Sequence, residues 1–176
     1  MNLETSKARE RLAKYCVGNG IDLGYGGDPI TPHAIAMDQP FEFRLTKSEG
    51  DHPQNLSGDA RNLYWFNDDV LDFVYSSHLL EDFKAEETPI ILKEWLRVVK
   101  PGGYLVLYGP DEVVYAEHCR RTGQNHNEAH SVPDFGLEFL KNVLSEHLNG
   151  MYQVVHEVKL IDDYCFDLVL RKKGGI

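Results

Sequence analysis

The sequence predicts an α/β fold in which a doubly wound, mainly parallel sheet ends in a C-terminal antiparallel hairpin. Residues 18–29, GNGIDLGYGGDP, form a short apolar run with one acid that opens into three closely spaced glycines. This pattern is typical of a buried strand that turns into a ligand-binding loop. Further along the chain, apolar β-rich runs alternate with amphipathic helical segments, which favours parallel strands with helices on the faces. The last two runs are separated by Asp162 and Asp163, as in a hairpin.

The first half of the chain contains an unusually short connection. Residues 3–15 predict an amphipathic helix, and residues 20–24 predict the first strand. Only six residues separate Gly27 from the next apolar run, residues 34–37, and two of those six are prolines. No ordinary crossover helix fits there, so we expect a loop or at most one helical turn.

The remaining elements follow from hydrophobic periodicity and from turn residues. We interpret residues 39–55 as a loop with at most a short strand or turn, and residues 55–60 as a short third strand. The further predictions are strands over 71–75, 104–108, 152–160 and 164–172, and helices over 88–99, 112–121 and 135–147.

Composition limits the class of protein. The chain has 176 residues, of which 42% are hydrophobic and 26% charged, so we expect one soluble domain over residues 1–176. No apolar run approaches a membrane span, and the N-terminus lacks the apolar centre of a secretory signal, which predicts a cytoplasmic protein. The net charge of −10 and the lack of a basic face argue against nucleic acid and anionic membranes as partners. Three scattered cysteines indicate neither a disulfide framework nor a CxxC metal site.

Asp38 ends the predicted second strand. In doubly wound sheets, ligands bind outside the carboxyl ends of the strands, where an acid can accept hydrogen bonds from both ribose hydroxyls. An ordinary surface acid in a turn is the alternative interpretation. The position therefore predicts a nucleoside site only in combination with the glycine-rich turn.

Three passages together resemble the class I S-adenosylmethionine-dependent methyltransferases, in particular their type 11-like small-molecule subgroup. They are GIDLGYGGDP, then GDARNL followed by VLDFVYSSHLLEDF, and WLRVVKPGGYLVLYGP. The resemblance covers most of the chain and implies a Rossmann-like sheet, S-adenosyl-L-methionine as cofactor and a small-molecule acceptor. Two departures stand out: the first crossover is shortened, and Asp82 stands where relatives often have histidine.

The resemblance also implies roles for individual residues. Gly24 and Gly26, with Tyr25 between them, would lie against the methionine portion of the cofactor, and Asp38 would hold the ribose. Asp59 would accept a hydrogen bond from the adenine amino group. The full set expected at the cofactor is Asp22, Gly24, Tyr25, Gly26, Asp38, Asp59, Ala60 and Ser76.

In this set, Asp22 would orient the turn and the amino group of the cofactor, and the Ala60 amide would face the adenine ring. Ser76 would border the methyl group and the acceptor together with His78. A nicotinamide-binding Rossmann domain shares the strand, the glycines and the acid. It is disfavoured because Pro29 stands where its third glycine would allow close helix packing.

Histidines are the candidate catalytic residues, since an oxygen or amine acceptor must lose a proton and histidine titrates near neutral pH. The candidates are His78, His126 and His130. For His78 the alternative is a histidine packed at the end of a strand. His126 and His130 are four residues apart, as metal ligands on a helix would be. Their neighbours argue against a stable helix and no third ligand is evident, so we predict no metal site, and exposed loop histidines remain the alternative.

The expected function is methyl transfer from S-adenosylmethionine to a small metabolite or saccharide-like acceptor. The alternative is a catalytically degenerate methyltransferase fold that acts as a binding or partner subunit. The shortened crossover and the small size of the chain motivate this alternative. A homo-oligomer is compatible with either function.

Overall fold

The computed structural model describes residues 4–40 and 52–174 of the chain. Within these ranges, seven strands form one sheet. They are β1 (Gly20–Leu23), β2 (Ile35–Asp38), β3 (Leu56–Ser57), β4 (Leu71–Ser77), β5 (Val99–Pro110), β6 (Tyr152–Ile161) and β7 (Cys165–Lys172). The α-helices in the same ranges are α1 (Glu4–Leu12), α2 (Thr88–Val98), α3 (Glu112–Thr122) and α4 (Leu137–His147). Short 3-10 turns cover Ala13–Tyr15 and Leu80–Asp82.

The strand order is β3-β2-β1-β4-β5-β7-β6. Strands β1 to β5 pair in parallel, whereas β7 runs antiparallel to both β5 and β6. Leu23 at the end of β1 is in register with Met37 and with Ser76, so the carboxyl ends of these strands lie side by side. The predicted doubly wound parallel sheet with a C-terminal antiparallel hairpin is confirmed.

The connection from β1 to β2 contains turns but no helix, as predicted. Helix α1 lies against this loop. Arg9 forms an ion pair with Asp28, and its Nη2 donates to the carbonyl oxygen of Pro29 at 3.1 Å. The Ser6 hydroxyl also donates to Asp28 Oδ2, at 2.6 Å. The N-terminal helix therefore stabilises the loop that stands in place of the crossover helix.

Apolar side chains cover both faces of the sheet and divide the helices into two layers. Helices α2 and α4 pack in one cluster, which contains Trp95 and Leu140, while α1 and α3 pack in the other, with Leu12 and Tyr115. The indole nitrogen of Trp95 donates to the carbonyl oxygen of Ala60 at 2.7 Å. This bond joins α2 to the segment that follows β3.

Element boundaries differ from the predictions mainly around Pro and Gly. Strand β5 starts at Val99, the last residue of the predicted helix, rather than at residue 104. The KPGG segment lies in an irregularity of the pairing with β4, between the pair Leu71 and Val99 and the pair Phe73 and Tyr104. The third strand contains only Leu56 and Ser57. The predicted loop over 39–55 lies partly outside the described residues. None of the described helices is long and apolar enough to cross a membrane.

Candidate active site

A cleft opens where the carboxyl ends of β1, β2, β3 and β4 meet, and it encloses about 610 Å³ including space open to solvent. Its walls come from the segments that follow each of these strands. The lining residues are Gly24, Gly26, Met37, Asp38, Gln39, Gly58, Asp59, Ala60, His78, Leu79, Asp82 and Phe83. A cleft in this position is where doubly wound sheets bind ligands.

The glycine turn lets the backbone itself form one wall of the cleft. Gly24 and Gly26 have φ values of 69° and 58°, a region that side chains disfavour. The Gly24 N–H donates to the carbonyl oxygen of Met37 at 2.9 Å, which ties the turn to β2. Among the described residues, a Cβ added at Gly26 would meet only the Gly24 carbonyl oxygen, at 3.9 Å. No described side chain therefore fills the position in front of Gly26.

Asp38 stands beside this turn at the end of β2. Its Oδ2 accepts from the Gly26 N–H at 3.3 Å, and its Oδ1 accepts from the Gln39 N–H at 2.8 Å. These backbone bonds orient the carboxylate within the cleft wall. The arrangement suits the ribose contact that the resemblance implies.

Asp22 and Tyr25 are not among the residues that line the cleft. Asp22 is fully buried, its Oδ2 accepts from the Ile30 N–H at 2.6 Å, and its Oδ1 has no hydrogen-bond partner among the residues that the structure describes. Burial raises the pKa of Asp22 well above its ordinary value. The Tyr25 hydroxyl donates to the carbonyl oxygen of His52 at 3.1 Å. Asp22 thus holds the β1–β2 loop, whereas Tyr25 contacts the segment that precedes β3.

Asp59 and Ala60 line the opposite wall. Arg61 donates to the Asp59 carboxylate, with Nη2 at 2.7 Å from Oδ2, and these hydrogen bonds lower the pKa of Asp59. The carboxylate is therefore charged at neutral pH. Ala60 is held in place by Trp95, whose indole nitrogen contacts its carbonyl oxygen.

Ser76 lies near the end of β4, and His78 is the first residue after this strand. Ser76 is buried and its hydroxyl donates to the carbonyl oxygen of Leu23 at 3.2 Å, which joins the ends of β4 and β1. Ser76 lines a small cavity adjoining the cleft, and His78 lines both. His78 has a left-handed backbone (φ 49°), a conformation that costs energy outside glycine and is enriched at functional sites.

The His78 ring is surrounded by anionic or polarisable groups. Its Nδ1 is 3.4 Å from Glu81 Oε1, and its Nε2 is 3.5 Å from Cys165 Sγ and 3.4 Å from Glu4 Oε2. Burial alone would lower the pKa of His78, but the contacts with Cys165 and Glu81 outweigh it and raise the pKa to about 10. His78 is therefore a cation at neutral pH, which suits electrostatic contact better than proton abstraction.

Asp82 is the residue for which the sequence suggested no role. It lines the cleft, and its Oδ1 is buried with no hydrogen-bond partner among the described residues. Burial and the neighbouring Glu81 charge raise the pKa of Asp82 to about 6. The sequence showed only that an acid replaces the usual histidine, because the shifted pKa depends on burial beside Glu81.

His126 and His130 lie one layer behind the cleft and are not among its lining residues. The loop that carries them packs on the Leu80–Asp82 turn. The Ser131 N–H donates to the Glu81 carbonyl oxygen at 2.8 Å, and the Ser131 hydroxyl donates to the Asp82 carbonyl oxygen at 3.0 Å. His130 Nε2 is 3.9 Å from Glu81 Oε1. His130 is therefore joined to the cleft wall through Glu81 and this turn.

The strand order, the glycine turn and the acid at the end of β2 define a Rossmann-like class I methyltransferase site. The sequence model of the family described as "Methyltransferase domain" matches residues 16–107, more than half of the chain, and the chain belongs to this family. The protein is an S-adenosylmethionine-dependent methyltransferase. The residues fit this cofactor, because Gly24 and Gly26 bring backbone without side chains to the cleft wall and the Asp38 carboxylate is oriented beside them.

Solved structures show the same fold at low sequence identity. The PH0226 protein from Pyrococcus horikoshii OT3 has a TM-score of 0.68 and 20% identity, with 95% of this chain and 88% of that chain covered. The N-methyltransferase NodS from Bradyrhizobium japonicum WM9, in complex with S-adenosyl-L-homocysteine, has a TM-score of 0.61, 18% identity and coverages of 97% and 88%. A structure of the Haloferax volcanii Trm112 methyltransferase activator in complex with a methyltransferase has a TM-score of 0.66 and 16% identity. The match covers 97% of this chain and 89% of that chain. A search of curated protein sequences finds no match.

Proposed function

We propose that this methyltransferase acts on a small metabolite or saccharide-like acceptor that binds beside Asp82, and that residues 1–176 form a single domain. The observation that carries the proposal is the Asp82 carboxylate in the cleft, with a buried Oδ1 that no described group contacts by a hydrogen bond. Asp82 as a whole is only half-buried, so its other oxygen, Oδ2, is the one that a hydroxyl or amine of a bound acceptor would contact from the cleft.

The cofactor supplies a methyl group on a cationic sulfur, which a nucleophile displaces directly. The backbone at Gly24 and Gly26 would lie against its methionine portion, while Asp38 would bind the ribose hydroxyls. Asp59, held charged by Arg61, would accept from the adenine amino group beside the Ala60 amide. Asp22 and Tyr25 would act indirectly, because Asp22 holds the β1–β2 loop and Tyr25 joins the turn to the segment before β3.

Asp82 would accept the proton that the acceptor loses. With a pKa of about 6 it is ionised at neutral pH, yet it is basic enough to share a proton with a bound hydroxyl or amine. Leu79 and Phe83 flank it in the cleft wall and would help to exclude water. His78 and Ser76 would position the end of β4 next to the reacting atoms. His126 and His130 would act through Glu81.

The charge of the cleft favours a neutral or cationic acceptor. Asp38, Asp59 and Asp82 line it together with the His78 cation, Arg61 pairs with Asp59 beside it, and the whole chain has a net charge of −10. An anionic acceptor would be repelled by this field. The same charge supports the absence of a nucleic-acid partner, since such proteins gain affinity by neutralising phosphates.

Calorimetric titration with S-adenosylmethionine and S-adenosylhomocysteine tests the cofactor site. Both should bind, and Asp38→Ala should weaken binding by about 1–3 kcal/mol because hydrogen bonds to a charged group are lost. Asp134→Ala is the matched control, since Asp134 is an exposed acid remote from the cleft lining. The absence of both heat and a thermal shift at millimolar ligand would contradict the proposed site.

Methyl transfer to a broad panel of amines, hydroxylated metabolites and sugars tests the role of Asp82. Asp82→Asn should lower kcat about 10²- to 10⁴-fold, the usual contribution of a general base, while leaving cofactor affinity nearly unchanged. In the natural enzyme kcat should rise with pH through about 6. Asp163→Asn, in the exposed hairpin turn, is the control.

Equal kcat for the Asp82→Asn and Asp163→Asn variants would exclude Asp82 as the base. Cofactor binding without turnover over the whole panel, together with tight association with another protein, would instead favour the partner-subunit alternative.

A further inference from the structure

A turn brings His126 and His130 together although the segment is not helical. The His130 N–H donates to the Asn127 carbonyl oxygen at 3.4 Å, and the Ala129 N–H donates to Asn127 Oδ1 at 3.1 Å. The two imidazole ring centroids are 5.9 Å apart. The low helix propensity around these residues therefore does not keep the two rings apart.

Glu112, the first residue of α3, supplies a carboxylate between the two rings. Its Oε1 contacts His126 Nε2, and its Oε2 is 2.7 Å from His130 Nδ1. One donor atom from each of the three residues lies within 4.8 Å of the other two. Glu112 is only 4% exposed, and the Tyr115 ring packs against both imidazoles at centroid distances of 5.2 and 5.3 Å. The three groups are thus held together by packing.

The charge around this cluster favours a cation. Three carboxylates, those of Glu81, Asp82 and Glu112, lie close together beside the histidines. In the part of the chain that the structure describes, no Lys or Arg forms an ion pair with any of them. The His78 cation faces one of them, with its Nδ1 3.4 Å from Glu81 Oε1, so three carboxylates share one positive charge apart from the two cluster histidines. Buried carboxylates are normally compensated by a cation, a metal ion or a proton.

Glu81 lies behind the cluster, in the position of a residue that contacts a metal ligand and not the metal itself. The non-liganding nitrogen of His130, Nε2, faces Glu81 Oε1 at 3.9 Å. Glu81 is 1% exposed, and this Oε1 has no hydrogen-bond partner among the described residues. Metal-binding histidines usually direct their second ring nitrogen at a carboxylate, which fixes the tautomer of the ring.

We propose that Glu112, His126 and His130 bind a divalent transition metal ion, with Zn²⁺ as the best match to two imidazoles and one carboxylate. Such a set leaves a fourth position for water. The His126 side chain is 44% exposed and provides a route for the ion. The ion joins the His126–His130 turn to the start of α3 and, through Glu81, stabilises the turn that carries Asp82 into the cleft. This inference does not depend on the acceptor or on the role of Asp82.

Zn²⁺ titration of metal-free full-length protein, followed by calorimetry and thermal unfolding, tests the site. One equivalent should bind and raise the Tm, because the ion binds the folded state. His126→Ala and Glu112→Gln should each weaken this binding more than about 100-fold, beyond the roughly 10- to 100-fold typical of outer-shell changes. His147→Ala and Glu117→Gln, at exposed positions, are the matched controls and should bind as the natural chain does.

A second group of possible metal ligands lies close together, formed by Glu4, His78 and Cys165. Zn²⁺ binding at this group must be distinguished from binding at the proposed site. Cys165→Ser should leave Zn²⁺ binding unchanged, and Co²⁺ in place of Zn²⁺ should give visible d–d absorption without a thiolate charge-transfer band. The proposal is overturned if the natural chain binds no equivalent of Zn²⁺. It is also overturned if binding survives His126→Ala and Glu112→Gln, or if Cys165→Ser abolishes it.

Discussion

Three aspartates near the carboxyl edge of the sheet have different protonation behaviour although their side chains are identical. Burial raises the pKa of Asp22 well above its ordinary value, whereas the hydrogen bonds from Arg61 lower the pKa of Asp59. Burial and the Glu81 charge raise the pKa of Asp82 to about 6. The surroundings of each carboxyl group therefore give it a different role: Asp22 is structural, Asp59 is a charged binding group and Asp82 is a candidate base.

Asp22→Asn should become more stable relative to the natural chain as the pH rises. Asparagine keeps an acceptor oxygen for the Ile30 N–H but carries no charge. Because the pKa of Asp22 is raised in the folded state, the folded protein binds this proton more tightly than the unfolded chain does. The contribution of Asp22 to the free energy of unfolding thus falls as pH rises above the ordinary value of 3.8. Urea denaturation at pH 5 and pH 8 measures the difference.

Two further variants complete this comparison. Asp22→Leu, which lacks the acceptor, should lose about 1–3 kcal/mol because the buried Ile30 N–H is left unpaired. Asp134→Asn, at an exposed position, should show no dependence on pH beyond that of the natural chain. A stability difference between Asp22→Asn and the natural chain that is the same at both pH values would contradict the raised pKa.

Among the elements, α1 supports the loop that replaces the crossover helix between β1 and β2. It contacts the β1–β2 loop through Ser6 and Arg9. At its other end Arg11 reaches the C-terminal hairpin, where its Nη2 is 2.6 Å from Asp162 Oδ2 and its Nε is 2.9 Å from Asp167 Oδ2. One short helix thereby joins the first loop of the sheet to its last two strands.

Arg11→Met should destabilise the protein by about 3 kcal/mol, because it leaves the fully buried Asp167 without its arginine partner. Arg120→Met is the matched control. Arg120 pairs with Glu117 on the surface of α3, where both side chains are more than half exposed, and such pairs contribute at most about 1 kcal/mol. The free energy of unfolding from urea denaturation measures both, and equal losses would show that Arg11 acts only as a surface residue.

Across the whole molecule, the sheet separates two apolar layers and brings the chemistry to one edge. The cleft collects residues from the ends of four strands that are far apart in sequence, from Gly24 to Phe83. The His126–His130 turn lies behind the cleft because Ser131 binds the backbone of the Leu80–Asp82 turn. The candidate metal site and the cleft therefore share one short turn of chain, through which a bound ion would influence Asp82.

Much of the architecture follows from local patterns. The short β1–β2 connection was predictable because Pro29 and Pro32 leave no room for a helix, and the hairpin because Asp162 and Asp163 readily adopt the positive φ of its turn. The start of β5 at Val99 was not predictable from the sequence, because its irregular pairing across the KPGG segment depends on the neighbouring strand β4. Asp38 was predictable as a site residue from its place at a strand end.

The amino-acid sequence by itself determined the order of strands and helices along the chain, the methyltransferase family and the cofactor. These rest on periodicity, turn residues and motifs within short stretches. Only the tertiary structure decided the state of the side chains at the site. Burial beside Glu81 sets the pKa of Asp82, and packing of α3 against a distant turn places Glu112 between His126 and His130. Desolvation and close contact between remote residues arise only once the chain has packed.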